Sequence, residues 1–232
     1  MQCTKKDMVV LTCGFLFCLI VLYILNKGVK KPPEINYKNP MVLLETQVND
    51  SDFTIGKNDA PVKMVFYGDF SCHHCIRFVH ENFEKIKKYF IDTGKLLFVF
   101  RPVISTPATL MGAQYLFCEK RLSDMNALIF LNLFKNNWAF KKDYGNALLK
   151  MVQYEKWDSD EKFNSCISNK QLQDMLIDRN RHIIKDLKIT LTPAVFINDN
   201  YAKANETIIS TISRAIQDAE SAKNVNDNNG KR

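Results

Sequence analysis

Residues 62–100 constrain the fold more than any other stretch of the chain. Val62-Lys63-Met64-Val65-Phe66-Tyr67 reads as a strand, apolar and carrying β-branched residues. Ile76, Val79, Phe83, Ile86 and Phe90 then recur at spacings of three and four, the stripe of an amphipathic helix, and Gly94 can end it. Residues 96–100 form a second apolar run. A strand, a helix and a strand of this length require a parallel pair joined by a right-handed crossover. The expected class is therefore α/β.

Past residue 104 the pattern turns helical. Thr106-Pro107 is an N-cap followed by a first-turn proline, and Asp158 with Glu161 makes a capping box. Helices are predicted near 107–120, 124–137, 143–154, 159–168 and 170–187. Residues 194–197 form a late strand, and 206–219 a terminal helix with Ile208, Ile209, Ile212 and Ile216 inward. One α/β sheet is thus split by a helical insertion. At 232 residues and 46% hydrophobic the chain can bury a substantial core, and eight Gly and seven Pro exclude a collagen-like or low-complexity protein. The net charge is +7, but Lys and Arg are scattered, so nucleic acid is not an expected partner. No internal repeat is present.

The amino terminus stands apart. Residues 8–25 carry no charge and are almost continuously apolar. As a helix this segment spans ~27 Å, close to a hydrocarbon core of roughly 30 Å. Lys5 and Lys6 precede it as in a secretory signal, yet no small-residue cleavage pair follows in 22–27. The expectation is an uncleaved signal anchor. Residues 26–50, with Pro32 and Pro33, read as a linker, and 221–232, rich in Asn and charge, as a disordered tail. Cys3, Cys13 and Cys18 fall in or near the anchor.

The chemistry sits where the first strand turns into the helix. In Asp69-Phe70-Ser71-Cys72-His73-His74-Cys75, two thiols have C-x-x-C spacing. Cys72 falls at the helix start, where unpaired N–H groups and the dipole favour a thiolate. Cys75, one turn in, is shielded and close enough to close a small disulfide ring. His73 and His74 are expected to add donors and positive charge beside the Cys72 sulfur. Each effect stabilises the dithiol, so such a site prefers to give its disulfide away. A zinc half-site needs two further ligands, and no second C-x-x-C or matching histidine pair exists; no metal or cofactor is expected.

Ile55-Gly56-Lys57-Asn58-Asp59-Ala60-Pro61-Val62, followed by Phe66 to Cys75 and later by Thr192-Pro193-Ala194-Val195-Phe196-Ile197, looks like the DsbA-like branch of the thioredoxin superfamily. The resemblance covers roughly residues 50–220. It implies a thioredoxin fold with a helical insertion, here preceded by a transmembrane segment: anchor 1–25, linker 26–50, fold 51–104, insertion 105–188, fold 189–220 and tail 221–232. It further implies a thiol:disulfide oxidoreductase with Cys72 as nucleophile and Cys75 as resolving thiol. His74 matches the histidine before the second cysteine, and His73 stands where proline is common. Thr192 and Pro193 match a substrate-binding loop with a cis proline against the disulfide. Phe66 occupies a position where many relatives carry a carboxylate, so no proton relay is assigned.

The reading that follows is a monomeric, inner-membrane-anchored enzyme with its catalytic domain in the periplasm. It would donate the Cys72–Cys75 disulfide to reduced exported proteins and be reoxidised by a DsbB-like membrane oxidase. Alternatives are an isomerase or reductase, or a non-catalytic binding or copper-handling module. Cys118 and Cys166 lack the features that activate Cys72; a structural bridge between them is expected, with two inert buried thiols as the alternative. His80 and His182 are read as ordinary residues, and Trp138 and Trp157 as packing the insertion. Phe130, Leu131 and Phe134 are core, or else the rim of a groove for unfolded chains.

Overall fold

The computed structural model describes residues 48, 52–118, 123–135, 137–154, 165–202 and 207–229. The expected anchor and nearly all of the linker lie outside them, as do Trp157 and the capping box at Asp158 and Glu161. Among the described residues no helix is long and apolar enough to cross a membrane.

Five strands form one sheet: β1 (Phe53–Ile55), β2 (Val62–Gly68), β3 (Leu96–Pro102), β4 (Ala194–Ile197) and β5 (Asn200–Tyr201), in the order β1-β3-β2-β4-β5. β2 and β3 run parallel with Val62 opposite Leu96, and β4 lies antiparallel to β2 with Ala194 opposite Tyr67. β1 and β5 escaped the sequence reading because each is three residues or fewer, too short for a period to show. The β4–β5 turn did carry a signal: Asn198 and Asp199 both adopt positive φ, as a tight hairpin turn demands.

Both faces of the sheet are covered, which is why β3 is buried along its whole length. Met64, Phe66, Phe98 and Phe100 point into the larger core, whereas Val65, Tyr67, Val99 and Phe196 point into a smaller one on the other face.

Helix α1 (His73–Ile86) buries Cys75, Val79, Phe83 and Ile86. It then widens into a π-helical turn, Lys87–Ile91, in which both Phe90 and Ile91 are buried. The wider turn lets two consecutive side chains reach the core. Gly94, at φ 72°, closes the segment with its N–H on the Ile91 carbonyl at 2.9 Å.

The insertion contains α2 (Pro107–Cys118), α3 (Ser123–Leu133), a 3-10 turn Trp138–Phe140, α4 (Tyr144–Tyr154) and α5 (Lys170–Lys185). α3 stops short of the expected residue 137. The Trp138 indole N–H takes the Leu133 carbonyl at 2.9 Å, the acceptor that residue 137 would need, and Asn137 is left-handed. α5 begins at Asn169, whose side chain accepts the N–H groups of Gln171 and Leu172. It ends at Lys185 rather than 187, because Lys188 adopts φ 59° and Ile189 N–H returns to the Ile183 carbonyl. Cys118, the last residue of α2, is bonded to Cys166, 48 positions on.

The terminal helix α6 (Ile208–Asn229) buries Ile208, Ile212 and Ile216, and corrects the expectation of a disordered tail from residue 221. Once packing has nucleated the helix, each further residue needs only one more hydrogen bond. A Lys95–Glu220 ion pair at 3.0 Å holds the helix just past its last buried residue.

Candidate active site

β2 ends at Gly68, where a Cβ would stand 2.3 Å from the Phe66 ring. The chain then turns on Asp69. Its carboxylate accepts the Ser71 N–H at 2.6 Å and the Ser71 hydroxyl at 2.7 Å, and its carbonyl accepts the Cys72 N–H at 3.1 Å. This turn sets Cys72 as the N-cap of α1, where the sulfur accepts the Cys75 N–H at 3.4 Å. A second loop abuts the turn. The hydroxyls of Ser71 and Ser105 meet at 3.3 Å, and the Asn180 amide on α5 grips the neighbouring Ile104 backbone with two 2.8 Å bonds.

The two thiols are unequal. Cys72 is half-buried and Cys75 fully buried, and both are free. A hydrogen bond from the Cys75 thiol is the largest influence on Cys72. Together with the Thr192 side chain and the backbone N–H groups of Cys75 and His74 it outweighs burial and lowers the Cys72 pKa to about 5. The same hydrogen bond, with burial, pushes the Cys75 thiol up. One sulfur is thus a thiolate near neutral pH while the other keeps its proton.

The histidines act differently from the expectation that their rings bring charge to the sulfur. Both are exposed, and the His73 ring lies flat on Phe140, with centroids 4.7 Å apart and planes at 10°. What His74 supplies to Cys72 is its backbone N–H.

Thr192 and Pro193 immediately precede β4, and the pairing of β4 with β2 carries them to the dithiol. The Thr192–Pro193 bond is cis, and the Cys72 thiol donates to the Thr192 carbonyl at 3.4 Å. Phe66 is fully buried, its ring 5.1 Å from Phe78 and 5.8 Å from Phe100. An apolar ring therefore fills the place where a carboxylate would sit. Phe130, Leu131 and Phe134 are buried with it, which corrects the groove alternative. His80 pairs with the Phe134 carbonyl at 3.0 Å and His182 with Asp186 at 2.6 Å. Among the described residues no three His, Cys, Asp or Glu side chains converge as a metal would require.

A buried charge cluster went unread in the sequence. Asp52, 1% exposed, accepts Arg101 at 2.7 and 3.0 Å and Arg179 at 3.0 Å, while Arg101 also donates to the Tyr67 hydroxyl. Burial opposes the Arg101 charge, but Asp52 and Tyr67 overcome it and raise its pKa. The one signal was an arginine ending an apolar strand. The cluster borders a cavity of about 470 Å³ between β3 and α5 that neither Cys72 nor Cys75 lines.

A five-stranded α/β sheet split by helices, with its C-x-x-C pair at a helix start against a cis-proline loop, defines the class: a DsbA-like thiol:disulfide oxidoreductase. The chain belongs to the thioredoxin family, whose model, described as Thioredoxin, matches residues 48–218. A Rickettsia conorii protein named as a protein-disulfide oxidoreductase is 28% identical over 84% of this chain and 73% of its own length. The Bacillus cereus protein named disulfide bond formation protein D is 27% identical over 85% and 92%. Among solved structures, Wolbachia pipientis alpha-DsbA1 superposes with a TM-score of 0.68 at 23% identity, covering 78% of this chain and 98% of that one.

Proposed function

We propose that this enzyme is a disulfide donor, with Cys72 as the exchanging sulfur and Cys75 as the resolving one. The observation that carries the reading is the asymmetry of the pair: a thiolate at Cys72, lowered to about 5, hydrogen-bonded by a buried Cys75 thiol. A couple whose reduced form is stabilised in this way is an oxidant.

The steps balance as follows. A substrate thiolate attacks Cys72 Sγ of the oxidised pair, forming a mixed disulfide. The electrons of the broken S–S bond leave on Cys75 Sγ, which takes a proton. A second substrate thiolate then attacks the substrate sulfur of the mixed disulfide and expels Cys72 as a thiolate. The substrate has lost two electrons and the enzyme holds the dithiol. Thr192 and Pro193 would line the approach, the Thr192 carbonyl already lying 3.4 Å from the Cys72 sulfur. Among the backbone groups of that loop, Pro193 has no N–H to offer.

Reduced exported proteins are the proposed substrates and a DsbB-like membrane oxidase the proposed reoxidant. The uncharged stretch 8–25 supports an inner-membrane anchor with the catalytic domain in the periplasm, where a disulfide given away persists. Equilibration of the full chain with glutathione buffers tests the direction of transfer. A potential near the oxidising end of the known range, about −120 mV, is expected, whereas a value near about −270 mV would make the enzyme a reductase.

A further inference from the structure

Phe140 presents an aromatic ring to solvent beside the dithiol, and the turn that carries it is firmly held. Trp138, two residues earlier, is 1% exposed; it packs against Gly112 and lies 6.2 Å from the Phe70 ring. Its indole N–H is fixed on the Leu133 carbonyl. With Trp138 pinned inside, the short turn leaves Phe140 outside at 46% exposure, stacked on His73, the residue bonded to Cys72. A near-parallel ring pair has a preferred geometry and presents one continuous flat apolar surface. A second exposed apolar side chain, Leu191 at 53%, adjoins Thr192, whose carbonyl touches the same sulfur. Two exposed apolar groups are therefore tied to Cys72 through separate segments of the chain.

We infer that the stacked Phe140 and His73 rings receive an apolar side chain flanking the substrate's cysteine, which makes Phe140 a specificity-determining residue. The inference rests on the donor reading above. Once a substrate sulfur is bonded to Cys72, the residue beside that substrate cysteine is confined within a side chain's reach of His73. An apolar side chain there covers exposed ring surface and is itself removed from water. A serine or aspartate gains nothing from that contact and loses hydration. The platform thus selects cysteines that a folding chain will bury, because their neighbours are apolar. Since the contact forms before sulfur transfer and changes little during it, the preference belongs in KM rather than kcat.

The test uses the oxidised full chain and two dithiol peptides identical except for Leu or Ser before the first cysteine. The wild-type enzyme is expected to oxidise the leucine peptide with about tenfold higher kcat/KM, the low end of what one apolar contact gives. Phe140→Ala should bring the ratio near one, and Phe140→Trp should preserve it. Because each variant is compared with itself, a change in overall rate does not disturb the reading. A circular dichroism melt checks that the variants fold. A wild-type ratio near one, or an unchanged ratio in Phe140→Ala, overturns the inference. Failure of the wild-type enzyme to oxidise dithiothreitol would instead bring down the donor reading, and this inference with it.

Discussion

The Cys72 sulfur lies 3.4 Å from the carbonyl oxygen of Thr192, a residue 120 positions away in the chain. The whole helical insertion separates them in sequence, and the antiparallel pairing of β2 with β4 reunites them. A nucleophile and the loop that receives its substrate thus rest on adjacent central strands, where both are held rigidly.

Ultraviolet thiolate absorbance of the reduced enzyme should titrate with a midpoint near pH 5. Cys75→Ala removes the largest stabilising contact and should raise that midpoint. Replacing His73 and His74 together should leave it within a few tenths of a pH unit, since the neighbouring backbone N–H groups remain. A large rise in the double histidine variant would return the histidine rings to the role first expected of them.

The same shift makes stability depend on redox state and pH. An unfolded thiol titrates at about 8.5, and the Cys72 value is lower when folded. Its contribution to the reduced enzyme is therefore fully present above about pH 8.5 and lost as pH falls through about 5. The oxidised enzyme has no such group. Urea midpoints of the two forms should shift in favour of the reduced one between pH 5 and 8.5; a constant difference would contradict the assignment.

Cys118 and Cys166 close a loop of 48 positions. Opening it with Cys118→Ser should lower stability by up to ~4 kcal/mol in the loop-entropy account. Disulfide exchange at Cys72 should continue at close to its normal rate. Chemical denaturation and an exchange assay on one sample would separate the two effects.

Asp52→Ala leaves Arg101, 5% exposed, without its carboxylate. Removing one partner of a buried pair costs about 3–5 kcal/mol. The loss should appear in the urea midpoint with little change in the Cys72 titration, since the cluster does not touch either thiol.

Gly112 on α2 faces Trp138, and a Cβ there would come 2.8 Å from the indole. Gly112→Ala should cost about 1–3 kcal/mol through overpacking. If the pinned indole is what fixes Phe140, the variant should also weaken discrimination between the leucine and serine peptides.

Much of this protein was legible without coordinates. Strand 194–197 matches β4, and the starts of β2 and β3 at residues 62 and 96 were read correctly, since apolar runs bounded by turn residues mark buried strands well. Helix starts with a cap or first-turn proline, at Pro107 and Lys170, were equally clear. Ends were not. α3 stops where a tryptophan indole takes a carbonyl, and α1 continues as a π turn because two adjacent side chains both find core. Each outcome depends on a partner that is remote or on packing that no local window contains.

The sequence by itself determined the α/β order and the C-x-x-C at a helix start, because strand periodicity, caps and the position of a thiol relative to a helix dipole are local properties. Only the tertiary structure decided what surrounds that thiol. It seated the cis Thr192–Pro193 loop against Cys72, packed Phe66 among rings, joined Asp52 to Arg101 and Arg179, and laid Phe140 over His73. These contacts link residues from 49 to 127 positions apart in the case of Asp52 alone, and nothing in the composition of either segment names its partner. Such pairings are set by the register of the sheet and by which surfaces the helices must bury, and those are properties of the assembled chain.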